Sequence, residues 1–191
     1  MTSHAPTQPP ARRADAARNR ERILDAARLA FADPDVEISM AEIARRSGVG
    51  SATLYRNFAN RRELLEALYV DEVDAVCDAA ETVAGQTPAE RLTAWLERFF
   101  VYFTSKRHVA GELLEQTDAD SPVFSASRSR VIAAGEPLLR AAQDAREIDG
   151  DLTLDQILDM IVAIAKIQND PAYVQPILRA ALAGLRQPTT A

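Results

Sequence analysis

Between residues 39 and 62 the chain reads SMAEIARRSGVGSATLYRNFANRR, and its second half concentrates short polar groups. Leu54 and Phe58, four apart, share one side of a helix from about Ser51 to Phe58. That leaves Ser51, Ala52, Tyr55, Arg56 and Asn57 for the other side. Two hydroxyls, an amide and a guanidinium on one face can exchange hydrogen bonds and hold anions, but they form no nucleophile and base pair. The chemistry this spacing supports is recognition of a polar surface.

The elements that must position this face are legible just upstream. Ser39 followed by Glu42 is a capping box, in which each side chain satisfies a free backbone N–H at a helix start. A helix therefore begins at about Met40, with Ile43 and Ala44 inward and Arg45 and Arg46 at its wet end. Gly48, which reaches positive φ without steric cost, stops it, and Ser47-Gly48-Val49-Gly50 forms the turn. Two helices joined by a short glycine turn are the arrangement that lays a second helix in the major groove of DNA, although many helical hairpins share it.

The string GxxxxATLYRNFxNRxxLL is more specific. It resembles the TetR family of transcriptional regulators, matching at Ser39, Ile43, Ala44, Gly48, Val49, Thr53, Leu54, Tyr55, Phe58 and Leu64. The resemblance implies that Ser51 and Ala52 lie against base edges, and that Thr53, Tyr55 and Arg56 touch phosphate or base, with the Tyr55 hydroxyl on phosphate. Asn57 stands where the family has His or Tyr, and its amide suits a phosphate or an adenine edge. Arg61 matches the family's lysine, which implies a phosphate clamp, and Ser39 can hold a phosphate through its hydroxyl. Two positions depart from the pattern. Gly50 replaces a serine, at a cost of about half a kcal/mol at most in lost capping, and Ala52 replaces a glycine.

Composition narrows the alternatives. The 191 residues are 47% apolar and carry a net charge of −6, but the charge is segregated. Residues 1–62 hold eleven Arg against seven acidic residues, about +4, whereas the remainder amounts to about −10. A basic head on an acidic body orients a protein on a polyanion. No uncharged apolar run is long enough to span a bilayer, and residues 1–14 lack the apolar core of a signal peptide. A cytoplasmic protein is expected, without membrane partners. Cys77 alone excludes an intrachain disulfide and reads as a small buried hydrophobe. With only His4 and His108, no Gly-x-Ser-x-Gly and no phosphate-cradling loop, neither a metal nor another cofactor is expected, and no enzymatic activity. A helical adaptor or an enzyme without DNA binding is the reading from another class, and it would have no use for the basic head.

Taken in order, residues 1–14 read as a disordered arm. A helix follows from Asp15 to about Ala32, ended by Asp33-Pro34 and backing the helix-turn-helix in a core of Ile23, Leu24, Phe31, Ile43, Leu54 and Phe58. Asn60 with Glu63 caps a rod whose stripe Leu65, Leu68, Tyr69, Val73, Val76, Ala80, Val83 runs until Gly85. Thr87-Pro88-Ala89-Glu90 opens a helix with Leu92, Trp95, Leu96, Phe99, Phe100 and Phe103. A shorter helix spans 108–116. Ser121-Pro122 opens another that reaches about Arg146, kinked or split at Pro137. Thr153 with Gln156 and Asp170-Pro171 start the last two, at about 153–167 and 173–185. No strand pattern appears, so the expected fold is all-α: a helix-turn-helix domain over 15–62 and a helical ligand-binding and dimerisation domain over 63–191.

For the larger domain the resemblance implies a ligand cavity lined by Trp95, Phe99, Tyr102, Phe103, His108, Phe124 and Met160. Aromatic stripes at helical spacing also build ordinary cores, and both readings stand at this point. It further implies pairing through the last two helices, by Leu154, Ile157, Leu158, Ile161, Ile164, Val174, Ile177, Leu178, Leu182 and Leu185. The excess apolar surface of these helices agrees, and a single head offers few base contacts. The expected partners are a palindromic double-stranded DNA operator, a second copy of the chain and a small-molecule effector that releases a repressor. Activation on the same fold is the other possibility.

Overall fold

The computed structural model describes residues 10–31, 38–105, 107–116 and 121–186. Among these are nine helices: α1 (Pro10–Ala30), α2 (Met40–Ser47), α3 (Ser51–Asn57), α4 (Arg61–Thr82), α5 (Pro88–Ser105), α6 (Arg107–Gln116), α7 (Pro122–Asp144), α8 (Leu154–Ala165) and α9 (Pro171–Gly184). The described residues hold no strand, only an isolated antiparallel bridge between Ile148 and Arg186. None of these helices is long and apolar enough to cross a membrane.

Two compact units divide the chain. The first comprises Met1–Leu68 and His108–Thr117, and the second Tyr69–Arg107 and Asp118–Ala191. The first unit thus runs past the boundary expected after Arg62 and takes in α6 from His108 onward. Leu65 and Leu68, the first residues of the rod's apolar stripe, and Leu64 beside them are buried to within 1% of their surface.

In the first unit, α1 buries Ile23, Leu24, Ala27 and Ala30 on one helical face, and Phe31 just beyond its end is buried with them. It starts at Pro10, a good first helical residue, so the arm expected over 1–14 is corrected for its last five residues. Residues 1–9 and the Asp33-Pro34 stop lie outside the described residues. Ile43, Ala44, Leu54 and Phe58 close the core from the other side, and Val109 and Leu113 of α6 are also buried.

In the second unit, local signals set most helix starts. Thr87 Oγ1 accepts from Glu90 N, and Glu90 accepts from Gln86 N at 2.8 Å. Thr153 and Gln156 make both bonds of a capping box, and Asp170 accepts from Tyr173 N at 2.8 Å. The α7 helix is not split at Pro137, which lies exposed within it. Trp95 is fully buried, and its indole N–H donates to the Val76 carbonyl at 3.0 Å. Gly135 abuts that ring so closely that a Cβ there would lie 2.2 Å from it. A glycine is required because the tryptophan occupies the side-chain space.

Candidate nucleic-acid interface

The α2 helix starts where its caps dictate, but the reciprocal box at Ser39 is only half made. Ser39 Oγ accepts from Glu42 N at 3.2 Å. The Glu42 carboxylate, instead of returning to Ser39, takes Nε and one terminal nitrogen of Arg45 and Nε of Arg46, each at 2.7 Å. Hydrogen bonds from Arg45 first, then from Arg46, hold the Glu42 carboxyl down to about 2. At the other end Gly48 has φ 64°, and its N–H bonds the Ala44 and Arg45 carbonyls. A side chain there would be strained, and a Cβ would also meet the Arg22 guanidinium at 2.7 Å.

Gly50 stands at the N-cap of α3 with no side-chain bond, as its lack of a side chain requires. Leu54 and Phe58 are buried to within 1%, which pins the helix by one face. On the opposite face Ser51, Ala52 and Arg56 are exposed, and Tyr55 exposes 52% of its surface. Thr53 and Asn57 are half-buried. Thr53 organises its neighbours: its hydroxyl accepts from Arg56 at 2.9 Å and its carbonyl from the Asn57 amide at 2.8 Å. One donor of Asn57 is thereby committed to its own helix, which leaves its other N–H and its Oδ1 for a partner. Ser39 is exposed, and while its oxygen caps α2 its O–H can still donate.

Arg61 departs from the role expected of it. Its side chain is only 23% exposed, and it donates to the Ile38 carbonyl and to the Glu112 carboxylate on α6, through Nε at 3.1 Å and through a terminal nitrogen. The Phe31 ring lies 4.8 Å from its guanidinium carbon. A free phosphate clamp is not what this conformation offers. The neighbouring Arg62 is the more exposed of the two, at 53%, with Glu66 at 3.4 Å. Sequence reasoning passed over Arg62, and over Arg45 and Arg46 as cations flanking the motif. The signal was present, since Glu42 sits three and four residues before the latter pair.

In the second unit the residues expected to line a cavity separate. Trp95 and Phe99 are core, stacked with centroids 6.3 Å apart. Tyr102 and Phe103 are half-buried, 6.3 and 6.4 Å from Phe99. Phe124 meets Tyr69, which sequence reasoning had assigned only to the stripe, edge to face at 5.2 Å. Burial pushes the Tyr69 and Tyr102 hydroxyls upward in pKa, with a hydrogen bond between the two. Met160 packs against the core in part, and the His108 side chain lies outside the described residues. A groove of about 520 Å³ between α4 and α5 includes Tyr102, with Glu72, Glu97 and Arg98 among its polar residues. Among the described residues, no three His, Cys, Asp or Glu gather where they could hold a metal ion.

The ten residues expected at a pairing surface face inward for the most part. Nine are buried within the chain's own core, and Ile177 is half-buried. The richest apolar positions of α8 are covered by its own chain. Outward lie Met160 and Ala163 on α8, with Tyr173, Pro176, Ile177, Ala180 and Gly184 on α9, beside the exposed Asp155, Gln156 and Asp159 of α8 and Gln175 and Arg179 of α9.

This arrangement has recognisable counterparts. Residues 23–68 match the family described as bacterial regulatory proteins of the tetR family, and residues 87–187 match the C-terminal domain of SbtR-like transcriptional regulators. A TetR transcriptional regulator from Streptomyces coelicolor is 36% identical with a TM-score of 0.74, over 90% of this chain and 99% of that one. A TetR regulatory protein from Mycobacterium vanbaalenii is 31% identical with a TM-score of 0.72, over 92% and 99%. The fold, the helix-turn-helix with its outward α3 face and the two family matches agree: the chain belongs to the TetR family of transcriptional regulators.

Proposed function

We propose that the protein is a sequence-specific DNA-binding regulator that works in the cytoplasm by binding rather than catalysis, pairs with a second copy on a palindromic operator, and is a repressor released by a small molecule. The observation that carries the DNA reading is the α3 face, where Ser51, Ala52 and Tyr55 project from a helix pinned by Leu54 and Phe58. In this reading Ser51, Ala52 and Asn57 meet base edges, whereas Ser39, Thr53, Tyr55, Arg56 and Arg62 meet phosphates. Gly50 lets the backbone approach the groove.

Pairing uses the outward face of the last two helices. Tyr173, Ile177, Ala180 and Gly184 recur at the spacing of one α9 stripe, with small residues that allow close approach of a second helix. Two copies of α8 and α9 would form a four-helix bundle. The effector is proposed to bind near Tyr69, Phe99, Tyr102, Phe103 and Phe124, whose rings contact one another in part and whose two tyrosines share a hydrogen bond, beside the groove that Tyr102 borders. That lining suits a mainly apolar molecule with one hydrogen-bonding group. Its binding favours whichever conformation holds it more tightly, and α4, whose residues belong to both units, is the element through which the preference reaches the DNA-binding unit.

Selection of duplexes from a random pool tests the reading. Recovery of a palindromic sequence bound with an affinity that falls steeply with salt supports it, and salt-insensitive or absent binding favours a helical adaptor.

A further inference from the structure

The Arg61 guanidinium sits at an unusual junction. Ile38, whose carbonyl it holds, immediately precedes the cap of α2, and Arg61 itself opens α4, three residues after Phe58 ends α3. One side chain therefore ties the entrance of the helix-turn-helix to its exit. The tie is made at low exposure, against the Phe31 ring, with the charge met by a carboxylate 51 positions along the chain. Glu112 is itself only 17% exposed. A guanidinium this enclosed loses its hydration, and without a facing carboxylate it would turn outward to water and release the Ile38 carbonyl.

We propose that Glu112 of α6 is a positioning residue for DNA recognition: it holds Arg61 inward, and through Arg61 it sets the placement of α2 and α3. Arg61 on this account clasps the motif and does not contact a phosphate. The affinity arm of the test rests on the DNA-binding reading above, and the exchange arm does not.

The experiment compares Arg61→Met, Glu112→Met, Glu112→Gln and the double methionine variant in the full-length protein. In amide hydrogen exchange, Glu112→Gln speeds exchange across α2 and the start of α3, far away in sequence, while α5 and α8 keep their protection. Unchanged exchange in α2 overturns the proposal, whether or not any duplex is bound. On a duplex selected by the unaltered protein, Arg61→Met and Glu112→Met each weaken binding about tenfold, and the double variant binds no more weakly than Glu112→Met, because the pair acts as one unit and leaves no unpaired charge when both go. The salt slope stays that of the unaltered protein in all three. Losses that multiply to about a hundredfold, or a salt slope that falls by about one in Arg61→Met alone, would make Arg61 an independent phosphate contact and overturn the proposal. If the unaltered protein selects no duplex, the DNA reading fails and the exchange result decides the clasp on its own.

Discussion

The two units use their exposed residues in opposite ways. In the first, a small core of Ile23, Phe31, Ile43, Leu54 and Phe58 pins the short α3, whose outward face carries Ser51, Tyr55 and Arg56. In the second, long helices bury their best apolar positions against one another, and Met160, Ala163, Tyr173, Ile177 and Ala180 remain outward on α8 and α9 beside Asp155, Asp159 and Arg179. Polar projections from a pinned helix suit a hydrogen-bonding partner, whereas residual apolar surface suits a like surface. The proposed reading follows this difference, with DNA at one unit and self-association at the other.

The comparison breaks most visibly at Ala180. Ala180→Glu places a charge in the proposed pairing face and should weaken the dimer by at least about 3 kcal/mol, giving a monomer in sedimentation at micromolar concentration with helix content unchanged. A dimer that persists would move the pairing face elsewhere. Leu54→Ala should cost about 2–5 kcal/mol in the first unit and abolish DNA binding. The emission of Trp95, the chain's single tryptophan, should stay as it is, because that ring lies in the second unit.

Gly135→Ala is the converse. Its added methyl meets Trp95, so it should cost about 1–3 kcal/mol and shift Trp95 emission while DNA affinity in the remaining folded protein is retained. The smallest effect belongs to Glu42, whose carboxyl is held at about 2 rather than 4.5 by Arg45 and Arg46. A lowered folded-state pKa stabilises above the unfolded value and is lost as pH falls through the folded one. The stability difference between the unaltered protein and Glu42→Gln should therefore be constant above about pH 5 and shrink towards pH 2 in acid unfolding.

Features encoded over three or four residues were legible beforehand. Ser39, Asn60, Thr87, Thr153 and Asp170 each mark a helix start because a cap needs only its own first turn. The core of the first unit followed from the same periodicity. The bond of Arg61 to Glu112 was not legible, because the two lie 51 positions apart and no local pattern announces a distant ion pair. The inward side of the last two helices was not legible for another reason. On α8 the apolar Met160, Val162 and Ala163 stand beside Leu154, Ile157, Leu158, Ile161 and Ile164, so the apolar arc is wider than the side the chain buries, and only Asp155, Gln156 and Asp159 mark the outside.

The central claim is that the α3 face reads DNA, and selection of duplexes from a random pool, followed by titration across salt concentrations, tests it most directly. The account predicts a palindrome whose half-sites lie about one helical turn apart, bound with a steep salt slope, with preference at individual base pairs altered by Ser51→Ala and affinity lowered uniformly by Tyr55→Phe. A pool that yields no consensus, or a consensus bound equally well by Ser51→Ala and Tyr55→Phe, would contradict it.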